Sequence, residues 1–311
     1  IVIANYFSGR TGNQMFQYAF MRKLWEQRNK KEKIIFNFSL VNQRNDEKGY
    51  KDTFEDFSVL PYSTDNRNLI LNYGTFFQLM TFLIYRFCRI FFNKNGFWFS
   101  IFRKIGLLYS EYWENDPLPY NVSSKNLIIY GKFENSLFFN DIRPILQREF
   151  TPKHEILDSN RDFYDIIKNN NSVCVHIRRG DFLSDEFRKD FYVCDEKYYI
   201  DAVNLILEKV DNPIFFFCSN DIDWVKKNIH VDAPCFYEPD GNPLWETFRM
   251  MYSCKHFIIS NSTLSWWAQY LSENMEKIVI SPDHWYNNPE KDIYARLLED
   301  HFIKLPTEHH S

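Results

Sequence analysis

Arg178 and Arg179 stand side by side at the end of an apolar run over residues 172–177, and Gly180 and Asp181 follow at once. A guanidinium is a planar fork of donors that matches phosphate oxygens and keeps its charge at any working pH. At a strand end, such a pair is suited to clamping a pyrophosphate. Asp181 could orient one of these arginines or accept a proton, and an exposed turn held by a salt bridge is an equally good account of Arg-Arg-Gly-Asp taken alone. Three further loops carry polar residues where a strand gives way to a helix. In residues 259–271, Asn261, Ser262 and Thr263 stand at a helix start, where unpaired N–H groups and the helix dipole favour an anion. Ordinary N-capping explains the same residues. In residues 217–221, Ser219 and Asp221 can hydrogen-bond a sugar or a base. In residues 8–19, Gly9 and Gly12 precede Asn13 and Gln14, but the spacing is not the dinucleotide fingerprint G-x-G-x-x-G. A P-loop, an H-E-x-x-H zinc motif and a nucleophile elbow are absent, and no D-x-D is placed to hold a metal-bound sugar nucleotide.

Strands and helices must bring these loops together. Residues 1–6 read as a strand rather than a secretory leader, the stretch from Asn13 as a helix and 33–38 as a strand, which opens a parallel sheet. Another strand is predicted at 126–133. Polar residues and an Asn run over 151–171 mark a domain boundary. Beyond it, strands are predicted at 172–177, 213–219, 256–260 and 277–281. Helices are predicted at 197–210, 221–229, 244–254 and 262–275. That alternation is a Rossmann-like sheet with helices on both faces, and ligands bind such sheets beyond the carboxyl ends of their strands. Trp266 and Trp267 are read as core.

A chain of 311 residues with 45% apolar residues has room for two cores, here residues 1–155 and 156–311. A net charge of −4 does not fit a nucleic-acid binder. The six cysteines include no C-x-x-C and are read as reduced thiols of a cytoplasmic protein. The apolar stretch at 75–92 is read as a helix of the N-terminal core; the competing reading is a helix lying on a membrane surface, with Arg86 and Arg89 reaching lipid phosphates. No window is apolar enough for long enough to span a bilayer.

Taken together and in order, SGRTGNQMFQYA, VHIRRGDF, FFFCSNDIDW and IISNSTLSWWAQYL resemble the bacterial α-1,2-fucosyltransferases, over roughly residues 1–285. The resemblance implies an α/β protein with two Rossmann-like domains facing a cleft, the GT-B type, with an acceptor-side N-terminal domain. A C-terminal helix is expected to return to that domain. It implies fucose transfer with inversion from GDP-fucose to a glycan acceptor, commonly the 2-hydroxyl of a galactose in surface polysaccharide, with no cofactor and no metal. It also implies an acceptor of a kind that is often lipid-linked, which would bring peripheral contact with the inner face of the cell membrane. On the same basis Arg178 and Arg179 hold the donor pyrophosphate and His176 supports their loop. Asn261, Ser262 and Thr263 contact GDP, Gly12 and Asn13 approach the sugar or its phosphate, and Ser219 and Asp221 lie near the nucleoside. Asp181 and Glu186 are the candidate general bases. The chain departs from the family pattern at Thr11, Thr247, Ala268 and Gln269. Another deoxysugar donor, or a non-catalytic nucleotide- or carbohydrate-binding protein on the same fold, are the competing functions.

Overall fold

The computed structural model describes residues 1–28, 30–89, 95–111, 113–120 and 122–307. The chain divides into two compact units, Ile1–Phe150 and Thr151–Ser311, each built on one parallel sheet.

The N-terminal unit contains β1 (Val2–Tyr6), β2 (Lys33–Asn37), β3 (Ser63–Thr64), β4 (Leu107–Tyr109) and β5 (Leu127–Tyr130), in spatial order β3-β2-β1-β5-β4. Every described pairing in it is parallel. The chain leaves β1 for β2 on one side and returns to β5 on the other, so β1 and β5 flank the switch point. Helix Thr11–Glu26 follows β1 directly. Its start is set by Gly9, whose φ of +76° is a left-handed conformation that side chains disfavour.

The C-terminal unit contains β6 (Asn171–Ile177), β7 (Pro213–Ser219), β8 (Cys235–Tyr237), β9 (His256–Ile258), β10 (Val279–Pro282) and β11 (Ile303–Leu305), in order β11-β10-β9-β6-β7-β8. β6 shows why this sequence makes a central strand. Val173, Val175 and Ile177 point to one face and are fully buried against Tyr198, Tyr199, Ala202 and Ile206 of helix Glu196–Lys209. Each such β-branched side chain contributes about 2 kcal/mol by burial, and each fits the pleated surface. Ser172, Cys174 and His176 take the opposite face and are buried too, as a strand covered on both sides requires. Here the switch point lies between β6 and β9.

Three expectations need correction. The last described element is β11, a strand paired with β10, and no helix follows it among the described residues. Helix Thr263–Leu271 stops short of the predicted 275, and residues 161–169 of the predicted boundary region form a helix of the second unit. The 75–92 stretch is helical over Phe76–Cys88, with a Thr75–Gln78 capping box, while 90–92 lie outside the described residues. Only one of its faces joins the core. Gln78 is buried and donates to the carbonyls of Ile105 and Asn126, both at 2.8 Å. Tyr85 packs edge-on against Trp98 and Phe102. The other face is exposed, with Phe76 at 80% and Phe87 at 68%. A helix buried all round would show neither. Among the described residues no helix is long and apolar enough to cross a membrane.

Candidate active site

β6 and β7 run in register to their ends, with His176 opposite Cys218 and Ile177 opposite Ser219. Arg178 and Arg179 therefore leave the sheet beside Asn220 and Asp221. Arg178 donates to Asp181 Oδ1 from Nε (3.0 Å) and approaches the same oxygen through Nη2 at 2.8 Å. Its guanidinium also lies over the Phe182 ring. Asp181 thus holds the arginine and does not stand apart as a lone base. Arg179 is stacked on Trp224, 3.7 Å from the ring centroid, and its Nε donates to Asp221 Oδ2 at 3.3 Å. Its backbone N–H donates to Asn220 Oδ1 at 3.0 Å. The loop after β6 is thereby latched to the loop after β7. Gly180 permits the close approach, since a Cβ there would sit 2.1 Å from Asn220 Nδ2.

On the other flank of β6, His176 Nδ1 meets Ser260 Oγ at 3.1 Å. Burial, and secondarily the Arg178 charge, push this imidazole down to about 3, so it is neutral at physiological pH. Ser260 lies 3.4 Å from Ser265 Oγ, and Ser265 Oγ donates to the carbonyls of Ser260 and Ser262. This chain of contacts fixes the start of helix Thr263–Leu271 beside the arginine loop. Ser262 is its N-cap residue, yet its side chain makes no capping hydrogen bond. Ser262 and Thr263 are half-buried, at an end where N–H groups and dipole favour an anion.

Not every candidate side chain is placed to touch a ligand. Asn261 is buried, and its Nδ2 donates to the carbonyls of Phe191 and Trp285, so its amide ties loops together. Ser219 Oγ accepts from the Asp221 N–H, and Asp221 Oδ1 accepts from the Trp224 N–H as a helix cap. Asp221-Ile222-Asp223 is a D-x-D after a strand, but Asp221 is engaged by Arg179 and that cap. Glu186 is exposed. Trp266 and Trp267 are fully buried, as core residues should be.

In the N-terminal unit Asn13 Nδ2 donates to Glu134 Oε1 at 2.7 Å. Gly12 is buried in the same first turn of the helix after β1. Gln14 and Gln17 secure the loop itself: Gln14 donates to the carbonyl of Gly9 and accepts from the Thr53 N–H, while Gln17 accepts from the Ser8 N–H. Glu134 follows β5, on the far side of the switch point, and burial holds its carboxyl above the ordinary carboxylate range. Burial likewise holds Lys132 below the ordinary ammonium range. Lys132, Gly131, Tyr130, Ser110, Tyr6 and Ser8 line a cavity of about 60 Å³, room for water molecules. Sequence reasoning missed Glu134, Lys132, Trp224, Asn220 and Ser260. Asn220 and Ser260 could have been found, because each directly follows or lies close to the end of a strand neighbouring β6.

The departures from the family pattern have local partners. Thr11 Oγ1 bonds Thr53 Oγ1 at 3.2 Å, and Thr247 Oγ1 donates to Glu238 Oε1 at 2.8 Å. Ala268 and Gln269 are buried in the helix after β9.

The model of glycosyl transferase family 11 matches residues 109–302, more than half of the chain. An α-1,2-colitosyltransferase of Escherichia coli is 35% identical over 164 residues, 51% of this chain and 56% of that protein. The chain thus matches little more than half the length of that relative. The O-antigen biosynthesis glycosyltransferase WbnK of Escherichia coli is 24% identical over 96% of this chain and 98% of its own length. Human galactoside α-(1,2)-fucosyltransferase 1 is 27% identical over 43% of this chain and 40% of its own. Among solved structures, the α-1,6-fucosyltransferase NodZ co-crystallised with GDP shares the fold, with a TM-score of 0.51, 11% identity, and coverage of 91% of this chain and 95% of that one. The doubly wound GT-B architecture, the arginine pair at the end of β6 and the matched family model agree: the chain belongs to glycosyl transferase family 11.

Proposed function

We propose that the protein transfers fucose from GDP-fucose to a glycan hydroxyl, the 2-hydroxyl of a galactose in α-1,2 linkage, during surface polysaccharide synthesis. The observation that carries this reading is the arginine pair at the switch point of the C-terminal sheet, beside the start of helix Thr263–Leu271. An anion at that point meets two guanidinium groups and a helix N-terminus. Negative charge grows on the β-phosphate as GDP leaves, so an arginine there stabilises the transition state more than the ground state. That stabilisation supplies what a metal would otherwise provide, and we read transfer as metal-independent and inverting. The N–H groups of Ser262 and Thr263 serve the GDP, and Ser219 and Asp221 border the nucleoside.

Asp181 acts in this reading as the residue that positions Arg178. Glu186 is the other carboxylate near this loop. The N-terminal unit takes the acceptor, with Glu134 receiving a hydrogen bond from its hydroxyl, and Gly12 and Asn13 keep the role that the resemblance implies, approaching the sugar or its phosphate. Six free thiols fit a reducing, cytoplasmic compartment, and a lipid-linked acceptor would place the work at the inner membrane face.

A second donor is favoured by one observation: the relative that is 35% identical acts as a colitosyltransferase. A panel of GDP-fucose, GDP-colitose, UDP-sugars and dTDP-sugars with galactoside acceptors, read by mass spectrometry, separates the readings. We expect a product one fucose heavier from GDP-fucose alone. Product from GDP-colitose only would move the donor, and binding of GDP without any transfer would leave a nucleotide-binding protein.

A further inference from the structure

We infer that the outward face of helix Phe76–Cys88 is a docking surface for an anionic lipid bilayer. The helix carries two apolar stripes, and one suffices for its core. Gln78 and Tyr85 face inward and are buried. Phe76, Met80, Leu83 and Phe87, spaced at i, i+4, i+7 and i+11, form the opposite stripe. They are 80%, 40%, 47% and 68% exposed, and Phe77 and Ile84 widen the stripe at 65% and 52%. The one hydroxyl within the exposed stretch is turned inward on the helix, since Thr81 Oγ1 donates to the Phe77 carbonyl at 2.9 Å. A contiguous apolar surface of this kind marks an interaction site.

Charge decides the partner. Residues 66–110 include no Asp or Glu in a chain whose net charge is −4. Arg86, in the last turn of the helix, and Arg89, its C-cap residue, are exposed. Phenylalanines that enter the acyl boundary, with arginines at headgroup level, are the composition of a helix lying in the plane of a membrane. A second copy docked on this face would set Arg86 and Arg89 against the same two arginines, and residues 66–110 offer no carboxylate between them. An anionic lipid surface answers all of them. The inference rests on the exposed face and its charge, and stands whether or not the donor and acceptor proposed above are right.

Flotation with vesicles tests it on the full chain. The wild type should float with phosphatidylglycerol-containing vesicles, remain behind with phosphatidylcholine alone, and release as salt rises. Phe76→Ser with Phe87→Ser, and Arg86→Gln with Arg89→Gln, should each weaken partition about tenfold or more. Both should keep the wild-type melting temperature, because these side chains lie outside the core. Wild type that ignores phosphatidylglycerol vesicles overturns the inference. So does binding that neither pair of substitutions reduces. A concentration-dependent dimer in sedimentation velocity, lost on the phenylalanine substitutions, would assign the face to a second copy and overturn it as well.

Discussion

Asp181 and His176 are both functional-looking residues whose partners decide their roles. Because Asp181 Oδ1 accepts from Arg178, Asp181→Asn, which keeps an acceptor oxygen, should retain much more turnover than Asp181→Ala, with an unchanged pH profile. Equal inactivity of the two, with loss of one limb of the profile, would make Asp181 the base. His176 is held neutral, down to about 3, against about 6.5 in an unfolded chain. The unfolded state therefore binds the extra proton first as pH falls. His176 stability is fully present above about pH 6.5 and is lost toward pH 3, at up to about 1.4 kcal/mol per pH unit. Urea unfolding of His176→Asn should show a shallower decline than wild type over that window; parallel curves would refute the assignment. Glu134 has the opposite sign for a carboxyl, since burial raises it. The folded state loses stability as pH rises through its pKa, so Glu134→Gln should gain in melting temperature over wild type, and the gain should widen from pH 4 to pH 8. A gain independent of pH would remove the buried charge from the account. Arg178 and Arg179 were legible in the sequence because two cations cannot continue a buried strand. Glu134 was not, because a lone carboxylate reveals its burial only once the helix after β1 and the loop after β5 are in place.

At the scale of elements, the strands that the sequence announced are the central ones. β1, β2, β5, β6, β7, β9 and β10 are buried runs bounded by polar turns. The four strands it did not announce, β3, β4, β8 and β11, are the edges of the two sheets and are two or three residues long. An edge strand pairs on one side only, so few apolar residues are needed to hold it and little pattern is left to read. The outward stripe of helix Phe76–Cys88 was misleading for a related reason, since apolar residues on both faces look the same whether a core or something else covers them. The loop after β6 makes a sharper test. Gly180→Ala would drive Asn220 Nδ2 away and unlatch the Arg179 N–H from Asn220 Oδ1. GDP affinity should fall about tenfold or more, because displacement of about 1 Å at a positioning loop is costly. Affinity equal to wild type would show that the latch does not shape the site.

For the whole molecule, each of the two parallel sheets has a switch point, and the four sequence motifs map onto strand ends, one after β1 in the first sheet and three after β6, β7 and β9 in the second. This is why a few motifs sufficed to indicate the fold class and where candidate residues stand on it. The acceptor could not be read in this way, since a glycan is recognised by a surface assembled from many short, irregular segments. If the arginines take the place of a divalent ion, transfer should continue at the wild-type rate in excess EDTA, and an enzyme silenced by EDTA and restored by Mn²⁺ would contradict that. The most direct test is the rate of deoxyhexose transfer from GDP-fucose to a galactoside, measured by mass spectrometry for wild type, Arg178→Ala and Arg179→Ala, with circular dichroism confirming the fold. Loss of a charged donor at a developing negative charge costs on the order of 3 kcal/mol. The account predicts that each folded variant slows by about a hundredfold, and wild-type rates in both would contradict it.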